Sequence, residues 1–192
     1  QASFASERLY AGKTLASRSS ELGFKRGGEI AQVLVDIGDV VEKDQVLARL
    51  DSQTLASNLN QAEANTALAQ ANLSAAKAEV QLAEKTEKRF RTLLEQGNTS
   101  KQVYDEAKLS VQIKQAQNQV AQANLKRALA AANANKITLT EAAIRAPFDG
   151  IIQSRYFDEG TQILGGMPAL KLIELGPIKA HIGVPSKSLA SL

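Results

Sequence analysis

The sequence predicts an α+β protein in which a long antiparallel coiled-coil α-hairpin is inserted in a split β-sandwich. Three observations predict it. Short segments rich in Val, Ile and Leu lie on both sides of the chain's middle, punctuated by Gly, Pro and Asp. The middle itself has neither Gly nor Pro from Gln53 to Gln96 and is dominated by Ala, Leu, Gln, Glu and Lys. Its apolar residues, finally, recur at alternating steps of four and three.

The first β region runs from Glu29 to Leu50. Ile30, Val33, Val35, Val41, Val46, Leu47 and Leu50 form short strand-like groups broken by the turn at Gly38-Asp39. After Asp51-Ser52 the texture becomes helical. Leu55, Leu59, Ala62, Thr66, Ala69, Leu73, Ala76, Val80, Ala83, Glu87, Phe90 and Leu94 keep a 3.5-residue repeat, and only Thr66 and Glu87 break its apolar character. Such a helix is on the order of 65 Å long at ~1.5 Å per residue, and its partner must match it. Gly97-Asn98 supplies the turn conformations that end a helix. Thr99-Ser100 offers a hydroxyl N-cap, with Gln102 spaced from Thr99 for a capping box. The second helix carries a stripe of Leu109, Ile113, Ala116, Val120, Ala123, Ala130, Ala134 and Ile137, interrupted by Arg127, expected to face the first. So short a turn makes the helices antiparallel.

From Ala146-Pro147-Phe148-Asp149-Gly150 the strand texture returns, through Ile151-Ile152, Gln162-Ile163-Leu164 and Ala169 to Ile173. Neither β region has enough strands to bury a face alone, so one sandwich built from both is expected. Glu7 to Leu22 and Pro177 to Val184 read as strands of a further, partial β-barrel. Expected boundaries are 1–22 for a barrel strand and linker, 23–51 with 138–175 for the sandwich, 52–137 for the hairpin and 176–192 for the start of a barrel domain.

Composition narrows the function classes. Aromatics are 4% and Trp is absent, while much of the 44% hydrophobic content is alanine, which suits closely packed helices. The net charge of +3 is spread among interleaved acids and bases, as in Glu84-Lys85-Thr86-Glu87-Lys88-Arg89, so no nucleic-acid stripe emerges. Without cysteine there is no thiol nucleophile, disulfide or Cys-based metal site. No apolar run approaches the roughly 18 residues of a membrane-spanning helix. No secretory leader is read at Gln1, and any membrane anchor is expected outside this chain.

The β regions then carry a resemblance. Gly28-x-Ile30-x-x-Val33-x-Val35-x-x-Gly38-Asp39-x-Val41-x-x-x-Gln45-x-Leu47-x-x-Leu50-Asp51 resembles the first half of a lipoyl/biotinyl-like domain, and Ile144 to Ile151 resembles the start of its second half. Two such halves around a helical hairpin resemble periplasmic adaptors, or membrane fusion proteins, of tripartite efflux pumps. Asp44 departs from the glycine usual in that family and is expected to change a turn, not the fold. Arg89-x-x-x-Leu93-x-x-x-x-x-x-Ser100 is similar to the tip motif by which adaptors of this kind meet an outer-membrane channel of the TolC type. The hairpin's length and the Ser100-to-Asp105 segment favour the resistance-nodulation-division class of exporter. The resemblance implies channel docking through Arg89, Leu93 and Ser100, an inner-membrane transporter as second partner, and a homo-oligomer of six copies. It also implies periplasmic placement with an inner-membrane anchor, and no cofactor. Read by themselves, Ser100 serves equally as an N-cap and Arg89 as a solvated helix-face charge, whereas Leu93 lies off the seam and is expected to be exposed.

Other classes compete with this reading. An adaptor for an ATP-driven, macrolide-type exporter or a type I secretion exporter shares the same architecture. A lipoyl-type carrier needs a lysine at the turn occupied here by Asp51-Ser52-Gln53, which has none. A generic coiled-coil scaffold accounts for the heptads but not for the flanking motifs. An enzyme has little to stand on: His181 is the single histidine, and Asp149, Asp158 and Glu159 flank turns.

Overall fold

The structure is a computed structural model and describes residues 12–15, 18–176 and 179–182. The chain divides into two compact units, residues 1–51 with 141–192 and residues 52–140.

The first unit is a β-sandwich whose strands come from both ends of the chain. In order they are β1 (Gly12–Leu15), β2 (Ser19–Gly23), β3 (Gly28–Val33), β4 (Val40–Val41), β5 (Val46–Leu50), β6 (Ala143–Arg145), β7 (Gly150–Arg155), β8 (Gln162–Ile163), β9 (Pro168–Glu174) and β10 (Lys179–Ile182). One four-stranded sheet runs β2-β9-β7-β4 and the other β6-β5-β3-β8. Each sheet draws two strands from each side of the hairpin, so neither half of the sequence completes a sheet without the other. The inward faces carry Phe24, Ile30, Val41, Leu47, Ile152, Leu170 and Leu172, all almost wholly buried. Arg18 covers one edge of this core with its guanidinium 4.3 Å from the centre of the Phe148 ring. β1 and β10 pair antiparallel as a separate two-stranded ribbon, with His181 opposite Lys13. Of the expected terminal strands, residues 7–11, 16–17, 177–178 and 183–184 lie outside the described residues.

Two turns justify particular residues. Asp44 has φ +66°, the one positive value at a non-glycine among the described residues. Its peptide is tied down on both sides. Its N–H donates to the Ala146 carbonyl at 2.8 Å, and its own carbonyl accepts from Arg145 Nη1 at 2.8 Å. A left-handed conformation at this site explains why glycine is the usual occupant, and Asp tolerates it better than most residues. Gly150 is required for another reason: a β-carbon there would fall onto the Ile173 carbonyl oxygen of the neighbouring strand.

The second unit is the hairpin, α1 (Gln53–Glu95) and α2 (Lys101–Thr140). Two boundaries differ from those expected. The second helix continues past 137 to Thr140, and residues 19–22 belong to a sandwich strand paired with β9. On α1 the expected seam is the observed one: Ala62 and Leu73 are buried, and the other ten positions are half-buried.

On α2 the expected stripe is corrected. Leu109, Ile113, Val120 and Ile137 are all exposed, as are Ala116, Ala123, Ala130 and Ala134. The residues turned toward α1 are Ala107, Val111, Lys114, Asn118, Ala121, Leu125, Ala128, Ala132 and Asn135, which repeat at the same steps from a different starting point. The physical reason lies in how the two faces fit. From Ala62 to Ala83 every second α1 seam position is alanine, alternating with larger residues, and α2 meets it with a face that mixes Ala107, Ala121, Ala128 and Ala132 with Val111 and Leu125 and accommodates Lys114, whose ammonium reaches Glu79 at 2.8 Å. The bulkier stripe is left for another surface.

Candidate docking tip

The tip is built by the two helix ends and the five residues between them. At the end of α1, Gly97 adopts φ +75°. The Asn98 N–H returns to the Leu93 carbonyl at 2.8 Å and the Gly97 N–H to the Leu94 carbonyl at 3.0 Å. This is the paired closure that satisfies the last carbonyls of a helix, and only a residue at ease with positive φ allows it. At the start of α2, Ser100 Oγ accepts the Val103 N–H at 3.4 Å, so Ser100 is the N-cap. The expected capping box does not form, because the Gln102 amide instead donates to Glu106 Oε1 at 3.2 Å.

The three residues singled out by the motif occupy this small region. Arg89 is exposed, its guanidinium 5.8 Å from the Phe90 ring, which is part of the seam. Leu93 follows one turn later but is half-buried, not fully exposed as expected, since the helix closure folds the chain back over its carbonyl. Ser100 is exposed and engaged as the cap. Arg89 remains the open charge of the set, with a planar array of donors suited to carboxylates and helix-end carbonyls.

Beneath them lies a cluster the sequence reading did not assemble. Glu87 sits in the seam with its side chain 12% exposed. Its Oε1 accepts from Arg91 Nη2 at 2.7 Å and Nε at 3.2 Å. Tyr104, in the first turn of α2, is half-buried. The Arg91 hydrogen bonds, with Tyr104 acting in the same direction, hold the Glu87 carboxyl below the usual carboxylate range. The available signals were the polar break in an apolar heptad and the Glu87-to-Arg91 spacing of four.

One face of the hairpin carries an open trough of about 1170 Å³. Exposed Leu68, Ile113 and Val120 form its apolar floor, rimmed by amides including Asn65, Asn72, Gln117 and Asn124. Leu82 lines the next hollow toward the tip. Leu68, Leu82 and Arg89 are separated by multiples of seven, so this stripe ends at the motif's arginine.

The turn-flanking carboxylates are engaged structurally. Asp149 Oδ1 accepts the Lys43 N–H at 2.7 Å, Glu159 Oε1 accepts the Val33 N–H at 2.9 Å, and Asp158 pairs with Arg155 at 3.1 Å. Among the described residues no group of His, Asp and Glu side chains converges as a metal site, and no helix is long and apolar enough to cross a membrane.

A two-segment β-sandwich around an inserted helical hairpin defines the class: a barrel-sandwich hybrid. Residues 21–168 match the CzcB-like barrel-sandwich hybrid domain, and the chain belongs to that family, homologous to the membrane fusion or periplasmic adaptor proteins. It is 29% identical over 174 residues to the macrolide export protein MacA of Escherichia coli O157:H7, covering 91% of this chain and 47% of MacA. It is 30% identical over 162 residues to the cobalt-zinc-cadmium resistance protein CzcB of Cupriavidus metallidurans, covering 84% of this chain and 29% of CzcB. The crystal structure of MacA from Actinobacillus actinomycetemcomitans superposes with a TM-score of 0.75 at 24% identity, over 95% of this chain and 59% of that one. The chain thus spans about half the length, or less, of these curated relatives.

Proposed function

We propose that this chain is the hairpin and sandwich portion of a periplasmic adaptor that links an inner-membrane exporter to a TolC-type outer-membrane channel, docking through Arg89, Leu93 and Ser100. The observation that carries the proposal is the tip: a closed helix end and a capped helix start that leave the Arg89 guanidinium exposed at the far end of a long hairpin. Export, not catalysis, is the activity, and its energy comes from the transporter. The placement is periplasmic, with an inner-membrane anchor in the full-length protein, and the adaptor works as a homo-oligomer, six copies by family analogy. Support for assembly comes from exposed Leu68, Ile113 and Val120, which line one trough of the hairpin, with exposed Leu82 lining the next hollow toward the tip.

The test is a double substitution, Arg89→Ala with Leu93→Ala, in the full-length protein. Export should fall to the level of an adaptor-deleted strain while the helical circular dichroism spectrum is unchanged. Undiminished export would refute docking through these residues.

The exporter class has two readings. The hairpin's length and the Ser100-to-Asp105 segment favour the resistance-nodulation-division class. The 29% identity to MacA favours an ATP-driven, macrolide-type exporter. Co-purification of the full-length adaptor with its transporter separates them.

A further inference from the structure

Each helix of the hairpin carries a second apolar stripe that its own partner helix does not cover. On α2 it is the exposed run from Leu109 to Ile137. On α1 it is Ala64, Leu68, Ala71, Ala75, Ala78 and Leu82, all exposed and spaced by the same alternation of four and three. Each apolar member of either stripe stands two residues after a member of the seam that the helices share. At 3.5 residues per turn two residues are ~206°, so each stripe lies about 150° round its helix from that seam. Because the helices run antiparallel, both stripes tilt toward the same side of the hairpin, the side of the trough with Asn65, Asn72, Gln117 and Asn124. The opposite side, which carries Glu63, Lys77, Glu84 and Lys126, has no apolar stripe to compete.

We infer that these stripes join copies of the chain side by side, α1 of one hairpin against α2 of the next, and that the trough side becomes the inner wall of a closed tube. Charge selects a second copy in this arrangement. Near the tip the outer flank of α1 carries Lys85 and Lys88 and that of α2 carries Asp105 and Glu106, all exposed. Placing α1 against the next copy's α2 brings opposite charges together, whereas pairing like helices sets like charges face to face. Shape agrees. Counted outward from Asn98 at the loop centre, Leu82 and Leu68 of α1 stand opposite Ala116 and Ala130 of the next α2, and Ala78 stands opposite Val120, always with the α2 residue two places farther out. Each large side chain thereby meets alanine. A helix whose two neighbours sit about 150° apart closes a ring after about twelve helices, which is about six hairpins. At a spacing of ~9 Å such a ring encloses a lumen of about 25 Å. Its wall is rich in amides, with Arg127 as the one charged side chain lining the trough among the described residues. The inference rests on the homo-oligomer part of the proposed function and not on docking through Arg89, Leu93 and Ser100.

The test is disulfide trapping in the full-length protein, at positions exposed in the single hairpin so that folding is undisturbed. The chain analysed has no cysteine to interfere. A chain carrying both Leu82→Cys and Ala116→Cys should give on oxidation a ladder of covalent oligomers ending at about six, while either substitution alone gives no dimer. A dimer from a single variant overturns the pairing of α1 with α2, as does a missing ladder in a protein that sedimentation shows to be oligomeric. A protein that sediments as a monomer overturns the homo-oligomer reading and this inference together. The inner wall is read separately, with biotin-maleimide attached at Gln117→Cys on the trough side or at Lys126→Cys on the opposite side. Streptavidin, too large for the lumen, should capture the Lys126→Cys oligomer and leave the Gln117→Cys oligomer in solution. Equal capture of the two assembled variants overturns the placement of the trough inside.

Discussion

The corrected face of α2 leads to a quantitative prediction from two leucines four residues apart. Leu125 lies in the seam and is half-buried against α1, whereas Leu129 is 52% exposed on the outside of the same helix. Truncating a buried leucine to alanine removes about 2–5 kcal/mol, and a seam flanked by water belongs near the low end because its neighbours can relax. Leu125→Ala should thus cost about 2 kcal/mol. Leu129, 52% exposed, has little burial to lose, and alanine is the better helix former, so Leu129→Ala should cost under about 0.5 kcal/mol. For a unit of this size, 1 kcal/mol moves the midpoint by roughly 4–8 °C. The expected shifts are on the order of 10 °C for Leu125→Ala and under about 4 °C for Leu129→Ala. Thermal unfolding followed at 222 nm reads them, at two protein concentrations so that self-association is seen if present. A loss for Leu129→Ala as large as that for Leu125→Ala would refute the assigned seam.

Three further perturbations probe separate parts of the chain. Gly150→Ala should cost more than about 4 kcal/mol or prevent the sandwich from folding, because the clash is with backbone that cannot move aside; soluble yield and urea unfolding read it. Asp44→Ala should destabilise by about 1 kcal/mol while Asp44→Gly is neutral or stabilising, since only the first worsens the fit to positive φ; chemical denaturation distinguishes them. Glu87 should make the hairpin acid-sensitive. Its carboxyl is held below the ordinary value of 4.5 by Arg91, with Tyr104 and Lys108 adding in the same direction. A depressed carboxyl contributes stability that is fully present above its unfolded value and lost as pH falls through its folded one, so the loss should begin below about pH 4.5. Glu87→Gln should lack that component in acid titrations followed by helical circular dichroism.

What the sequence made legible follows from the strength of each local signal. Glycine and proline exclusion with a 3.5-residue repeat identified α1 residue by residue, because its seam is also its most regular apolar stripe. The same rule misassigned α2, where the more hydrophobic stripe and the packed stripe are different. Leu109, Ile113, Val120 and Ile137 outrank Ala107, Lys114 and Asn118 on any hydropathy scale, yet the second set is the one turned toward α1. Periodicity tells how often a helix repeats; complementarity between two helices tells which repeat is used. The pairing of strands from opposite ends of the chain was legible only as an economy of strand number, and its interleaved order needed the structure.

At the tip the same limit appears in finer form. The position of Ser100 before α2 predicts a cap, and it caps. The place of Leu93 off the seam predicts exposure, but it is half-buried because the α1 closure depends on Gly97 turning the chain back toward it. In the sequence Glu87 is an interruption of the heptad. A polar residue left in an apolar seam without a partner would favour separation of the helices. Glu87 is tolerated there because Arg91, four residues along the same helix, donates to its Oε1 from Nη2 at 2.7 Å and from Nε at 3.2 Å.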